Sequence, residues 1–358
     1  MRIYQVMDAL DYGDGVSNSV INTHLLLNKM GIENQIYSKW WNDRVRQYTM
    51  EISKLRVKPD DIVIYHFSGK SHIIDEVSML PCQRVLCYHN VTPPEFFKDN
   101  NPQAYENCLA GLRQLAEKWI NFHYFCPVSE FNMKDLMSYG ISEKKIDVLP
   151  IVMNLERLDN VPYNQALYQS RKSNLNIIFV GRVAPNKRIE DILDIFENLY
   201  CYYRQDVKLT LVGNTDDHSH YAQMLMSKLA GLRCKEQVTF TGKVTSDDLY
   251  AYYKSSDVFL CMSEHEGFCI PLIEAMYFKI PVVAYNSCAI PYTMGGAGVL
   301  VHRKDIPVIA GLLDSLLNDH DLRNRIISRQ SKNIQKYTTS ALQCQLQCLI
   351  DKWSVKHV

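Results

Sequence analysis

Short apolar runs alternate with amphipathic stretches along nearly the whole chain. In the first half the apolar runs fall at 3–7, 34–37, 61–66, 84–89 and 122–127, lengths that suit buried strands. After the first run, Val20, Ile21, Leu25, Leu26 and Leu27 recur at helical spacing, which predicts a helix ending near Gly31. A last strand of this half is predicted over 146–151. A polar, turn-rich stretch over 152–174 then reads as a connector, with Asn160, Pro162, Asn164 and Ser173. The second half repeats the alternation, with strands predicted at 176–182, 208–213, 238–242, 258–261, 281–285 and 298–301. Helices are predicted around 192–196, 247–255 and 271–278, and again from about 306 to the end. In the last of them, from Ser340 to about Ser354, Leu342, Leu346, Leu349 and Trp353 recur at three- and four-residue steps. Strand–helix alternation predicts parallel sheets covered by helices. Two such runs around a connector predict two α/β domains with a cleft between their strand edges.

Composition narrows the class. A chain of 358 residues has room for two domains, and 47% apolar against 22% charged residues predicts substantial cores. Lys plus Arg (39) equals Asp plus Glu (39), so the basic footprint of a nucleic-acid-binding protein is missing. The N-terminal residues run straight into an apolar strand, and no signal peptide is expected. No apolar run reaches the length of a membrane span. The 11 cysteines are odd in number and form no C-x-x-C pair. Cys82 with Cys87 and Cys344 with Cys348 have no familiar metal spacing, whereas Cys87, Cys261 and Cys269 lie in apolar runs and read as small core residues. A reducing, cytoplasmic setting is expected.

The candidate chemistry lies at strand ends. Asp8 to Asn18 follows the first strand and contains Gly13 and Gly15, with Asn18 where a dinucleotide fingerprint would carry its third glycine. His89 stands at the C-terminal end of a strand, the edge where open α/β sheets bind ligands. Arg182 and Lys187 flank the loop after the strand at 176–182. Two cations there suit a diphosphate; a pair of solvated loop cations is the alternative. Glu266 precedes and Glu274 follows Pro271, around a predicted helix start whose free N–H groups suit phosphate or sugar oxygens.

Taken together, Phe179-Val180-Gly181-Arg182-Val183-Ala184-Pro185-Asn186-Lys187, then Ser263 through Met276 with its Glu266-x7-Glu274 spacing, and Pro281-Val282-Val283-Ala284 resemble the donor domain of retaining glycosyltransferase family 4. The first half matches more loosely, through Gly13/Gly15, His89-Asn90 and Val128-Ser129-Glu130-Phe131. The resemblance implies the GT-B fold: two Rossmann-like domains, 1–165 for the acceptor and 166–339 for the nucleotide sugar, with the helix at about 340–358 crossing back to the first. It implies that Arg182 and Lys187 bind the donor pyrophosphate, Glu266 the hydroxyls of the transferred sugar and Glu274 the ribose. It further implies that N–H groups of Gly267 and Phe268 support the sugar, that the backbone at Val244 reads the base, and that Gly15 lets the first domain approach the phosphates. His89 would orient the donor rather than act as a base, with the acceptor proton passing to the departing phosphate. No cofactor or metal is expected beyond a UDP- or GDP-type donor, which suits the lack of an Asp-x-Asp motif; Asp216 and Asp217 are adjacent. His265 receives no role. Replacing Arg182 or Lys187 by Ala is expected nearly to abolish transfer and to spare the fold.

The expected partners are a nucleotide sugar and a glycan or lipid-linked acceptor, in cell-surface polysaccharide synthesis. Trp40 and Trp41, among Lys39, Arg44 and Arg46, suit peripheral association with the inner membrane, a sugar-stacking surface or plain partial burial. Pro93-Pro94-Glu95-Phe96-Phe97 is a second aromatic loop suited to the acceptor. A GT-B epimerase or phosphorylase, an NAD-dependent oxidoreductase and a non-catalytic relative are the competing classes.

Overall fold

The computed structural model describes residues 1–215 and 219–354, which form two compact units. One comprises Met1–Pro94, Gln103–Glu156 and the chain from Lys336 onward; the other comprises Glu95–Pro102 and Arg157–Gln335.

The first unit holds strands β1 (Ile3–Leu10), β2 (Asn34–Trp41), β3 (Thr49–Glu51), β4 (Ile62–Phe67), β5 (Gln83–Tyr88) and β6 (Tyr124–Pro127). They pair in the order β3-β2-β1-β4-β5-β6, every pair parallel. In the second unit β7 (Leu175–Val180), β8 (Val207–Val212), β9 (Val238–Gly242), β10 (Val258–Cys261), β11 (Val282–Tyr285) and β12 (Val299–Val301) pair as β12-β11-β10-β7-β8-β9, again all parallel. Parallel neighbours need long crossovers, and helices supply most of them. Both units are therefore Rossmann-like. Each chain path starts in the middle of its sheet, winds outward to one side and then crosses to the other. The reversal falls between β1 and β4, and between β7 and β10, the switch points where doubly wound sheets bind ligands.

The central strands are uniformly apolar because both faces are covered: Ile177, Ile178, Val258, Phe259 and Leu260 are each wholly buried. The helix Thr339–Ser354 belongs to the first unit. It buries Leu342, Leu346, Leu349 and Trp353, while Gln345 donates to the Val148 carbonyl at 2.6 Å and Lys352 pairs with Asp147 at 2.7 Å.

Three local expectations differ from the structure. Residues 146–151 are not a strand: Ile146 makes only an isolated bridge to Phe125, and Asp147 and Leu149 donate to Phe125 and Pro127 before Pro150, which has no N–H, ends the pairing. β3 escapes the periodicity because it has three residues and buries only Thr49. The connector contains the helix Gln165–Arg171, capped by Asn164; none of its residues is buried, so no apolar stripe announces it.

Candidate functional site

The geometry of the second unit's switch point begins with two glycines. Gly181 donates to the Val212 carbonyl at 2.9 Å, and Gly213 donates to the Gly242 carbonyl at 3.2 Å, joining the exits of β7, β8 and β9. A Cβ at 213 would stand 1.9 Å from the Gly181 carbonyl oxygen, so this approach requires glycine. The chain then presents Arg182, which is exposed and makes no side-chain hydrogen bond or ion pair among the described residues. Pro185–Lys187 forms one 3-10 turn, and Arg188 takes a left-handed φ of 52° before the helix Ile189–Tyr202.

That turn is tied to the loop after β10. Asn186 is buried; its side-chain amide donates to the His265 carbonyl at 3.0 Å, and its own carbonyl accepts from Glu264 N–H at 2.8 Å. Lys187 Nζ thereby reaches Glu266 Oε1 at 2.7 Å, with the two side chains only 16% and 9% exposed. Burial alone would lower the Lys187 ammonium, but Glu266 outweighs it with help from Cys269, and the net shift is upward. His265 is pushed down to about 4, mainly by burial, and stays neutral between its neighbours. The donor atoms of Cys261, Glu266 and Cys269 lie within 4.8 Å of one another, a spacing that could hold a cation, yet the Lys187 ammonium already occupies the carboxylate.

Beyond Glu266 and Gly267, Phe268 is buried and its carbonyl accepts from Thr293 Oγ1 at 2.6 Å. Cys269 caps the helix Ile270–Tyr277 in a left-handed conformation (φ 73°) without a side-chain cap bond, and Pro271 lies in the first turn. The N–H groups at this helix start thus make no bond to the N-cap side chain. On the same helix Glu274 accepts from Tyr253 OH at 2.8 Å, and burial raises its carboxyl above the ordinary range. Val244 is half-buried in the loop between β9 and the helix Ser246–Lys254.

Arg182, Lys187, Glu266, Gly267 and Phe268 therefore share the exits of β7 and β10, which flank the switch point, with Glu274 one turn into the following helix. Asn186, Gly213 and Tyr253 complete the arrangement, although sequence reasoning gave them no role. For Asn186 a signal existed: a short amide side chain in a Pro-Asn-Lys turn is suited to bond backbone. Asp216 and Asp217 lie outside the described residues.

In the first unit, Gly15 is the first residue of the helix Gly15–Lys29, capped by Asp14, and the left-handed turn falls on Gly13 (φ 80°) instead. His89 follows β5, buried, with Nε2 at 2.9 Å from His66 Nδ1. The donor atoms of His66, Cys87 and His89 form a second close group. Trp40 at the end of β2 is 47% exposed, beneath the Lys39 ammonium at 5.0 Å and edge-on to the His72 ring. Arg46 lies over Trp41 at 4.5 Å and Arg44 over Tyr12 at 4.9 Å. No helix among the described residues is long and apolar enough to cross a membrane.

Residues 165–333 match the family described as Glycosyl transferases group 1. The chain is 23% identical over 297 residues to the serotype-specific mannosyltransferase WbdA of Escherichia coli, a match covering 77% of this chain and 35% of that protein. It is 29% identical over 203 residues to the phosphatidyl-myo-inositol mannosyltransferase of Mycobacterium leprae, covering 55% of this chain and 51% of that protein. The chain thus spans about a third to a half of the length of the curated relatives it matches. Among solved structures, a glycosyltransferase from Rickettsia africae superposes with a TM-score of 0.76 at 17% identity, covering 100% of both chains. Anabaena Alr3699/HepE, solved with UDP and glucose, superposes at 0.74 and 13% identity over 98% of this chain and 100% of that one. These likenesses establish the GT-B fold for the two Rossmann-like units.

Proposed function

We propose that this chain, whose residues 165–333 form a glycosyl transferases group 1 domain, transfers a sugar from a nucleoside diphosphate sugar to a glycan or lipid-linked acceptor with retention of configuration. The observation that carries the proposal is the Lys187–Glu266 pair, 2.7 Å long, beside Arg182 at the switch point, which is exposed and unpaired among the described residues. A diphosphate seated there meets two cations, and the hydroxyls of a sugar meet the Glu266 carboxylate that Lys187 holds in place. Glu274 has Oε1 to offer a ribose hydroxyl while Tyr253 holds Oε2. N–H groups of Gly267 and Phe268 support the sugar, and the backbone at Val244 meets the base. His89 orients the donor only indirectly, by shaping the exit of β5; it is not a base.

In the step itself, the bond between the anomeric carbon and the diphosphate oxygen breaks. A bond to the acceptor oxygen forms on the same face, and the acceptor proton passes to the departing phosphate oxygen. Arg182 and Lys187 absorb the charge that develops on the leaving group, so the proposal requires no divalent cation.

The relatives' names, with O-antigen, capsule and lipid mannosylation among them, support cell-surface polysaccharide assembly, with hexoses as the transferred group. The cation-backed Trp40 and Trp41 support contact with an anionic lipid surface. The test is incubation with a panel of UDP- and GDP-hexoses, GDP-mannose included, reading the nucleoside diphosphate released by slow hydrolysis. Release from at least one donor, abolished in Arg182→Ala, is expected; release from none, or equal release by the variant, overturns the donor-site assignment. For the membrane contact, flotation with anionic liposomes should be lost in Trp40→Ala/Trp41→Ala, and unchanged flotation would reject it.

A further inference from the structure

Behind the first unit's strand exits lies a chain of polar side chains that the proposed reaction does not use directly. His66 and Cys87 are register partners on β4 and β5, and Cys87 and Cys126 on β5 and β6, so one face of the sheet carries a buried polar row. Gln5 on β1 adds to it. Gln5 Nε2 donates to the Val20 carbonyl at 3.1 Å, and Gln5 Oε1 lies 3.1 Å from His66 Nε2. His66 Nδ1 lies 2.9 Å from His89 Nε2. Gln5 is wholly buried, His66 is 6% exposed and His89 8%.

These distances admit one consistent placement of protons. A carbonyl can only accept, so Val20 fixes the Gln5 amide with its NH2 toward the helix and its oxygen toward His66. That oxygen needs a donor, so His66 carries its proton on Nε2. Burial disfavours the charged ring at His66, so its Nδ1 is a lone pair. His89 must then donate from Nε2, and in a neutral ring that makes His89 Nδ1 an acceptor. Cys87 Sγ, 3.4 Å from the same Nε2, is compatible only as a second acceptor. If the thiol donated instead, His66 would have to protonate Nδ1 and would turn a lone pair toward the Gln5 oxygen.

His89 Nδ1 is buried without a protein partner, and so is Trp353 Nε1 of the C-terminal helix. Both residues line a cavity of about 20 Å³ together with Ser19, Thr23 and Val152. That volume exceeds the roughly 10–15 Å³ that one water needs, and a water requires two or more polar partners, of which a lone pair and an indole N–H are two.

We infer that Gln5 and His66 are positioning residues that lock His89 as its neutral Nε2–H tautomer, with Nδ1 and the Trp353 indole sharing one internal water. The function is to fix the exit of β5, where Asn90 follows in a left-handed conformation (φ 78°). It rests on the proposed transfer only for its consequence, not for its geometry. His89 serves by holding that edge still, and its one N–H is never free to move.

The test is imidazole nitrogen NMR of the full chain with ¹⁵N-labelled histidine, at neutral pH, on the wild type and on Gln5→Met and Trp353→Phe. Both His66 and His89 should show a protonated Nε2 and an unprotonated Nδ1. Gln5→Met should lose that fixed state at His89, whereas Trp353→Phe should keep it. A wild-type His89 protonated at Nδ1, or at both nitrogens, overturns the assignment; so does an unaltered His89 signal in a folded Gln5→Met variant. If a donor hexose is identified, Gln5→Met should lower kcat about tenfold with little change in KM, equivalent to ~1.4 kcal/mol. Full turnover with an altered tautomer would remove the positioning role. The NMR readout uses resting protein, so a failure of sugar transfer leaves it standing, and its failure leaves the transfer reaction standing.

Discussion

Removing the ammonium at position 187 has two separable consequences. Lys187 and Glu266 are mostly shielded, at 16% and 9% exposure, and they meet at 2.7 Å. Taking away one partner of such a pair strands a carboxylate in a low-dielectric site, which typically costs 3–5 kcal/mol, and partial exposure places this case at about 3 kcal/mol. Lys187→Met and Glu266→Gln should each be strongly destabilising, while the double variant should recover much of the loss, because two neutral side chains of similar volume leave no buried charge. Urea unfolding of the wild type, both single variants and the double variant gives the coupling, expected at about 2 kcal/mol or more. The Lys187 ammonium is raised above its ordinary value of 10.5, so its contribution is complete below that pH and lost only as pH rises through the higher folded value. The cycle should therefore read the same at pH 7 and pH 9. Arg182→Ala is the contrast. Arg182 is exposed and unpaired among the described residues, so stability should stay within about 0.5 kcal/mol, while diphosphate release should fall about 10²–10³-fold, by analogy with loss of one oxyanion donor. The sequence alone treats the two cations as equivalent; the structure makes Lys187 part of the fold as well. Additivity of the two single variants within about 0.5 kcal/mol would refute the buried pair and, with it, the fixed position of Glu266.

Gly213→Ala should destabilise the second unit by more than about 2 kcal/mol, seen by thermal unfolding, because its Cβ would stand 1.9 Å from the Gly181 oxygen; a neutral substitution would show that the strand exits are not held together. His265, depressed from 6.5 to about 4, resists protonation in the folded state while the unfolded chain takes up a proton. Stability should fall as pH drops from about 6.5 toward 4, by up to ~1.4 kcal/mol per pH unit from this group, and His265→Gln should flatten that part of the profile. An identical profile in the variant would assign the pH dependence elsewhere. Trp353→Ala should cost about 3–5 kcal/mol in the first unit, measured by denaturant unfolding, since the indole is 1% exposed. A loss below about 1 kcal/mol would mean the terminal helix is only loosely attached.

What the chain reveals by itself is what local burial imprints on it. Apolar runs such as Val258–Cys261 are legible because both faces of a parallel strand are covered, and the Leu342/Leu346/Leu349/Trp353 stripe because one helix face is. The motif around Arg182, Lys187, Glu266 and Glu274 is legible because its residues are close in sequence within each loop. Tertiary structure decided the rest. Strand order, and so the switch point between β7 and β10, depends on crossovers that leave no periodic trace. Lys187 and Glu266 are 79 positions apart, and the two hydrogen bonds between Asn186 and the second loop help bring the separate charges into one pair. His66 and His89 are 23 positions apart, and Gln5 is 61 from His66. Gln5 and His66 carry no signal in the sequence and His89 only its place at a strand end, because a hydrogen bond is defined by the direction of both partners and a sequence records the direction of neither.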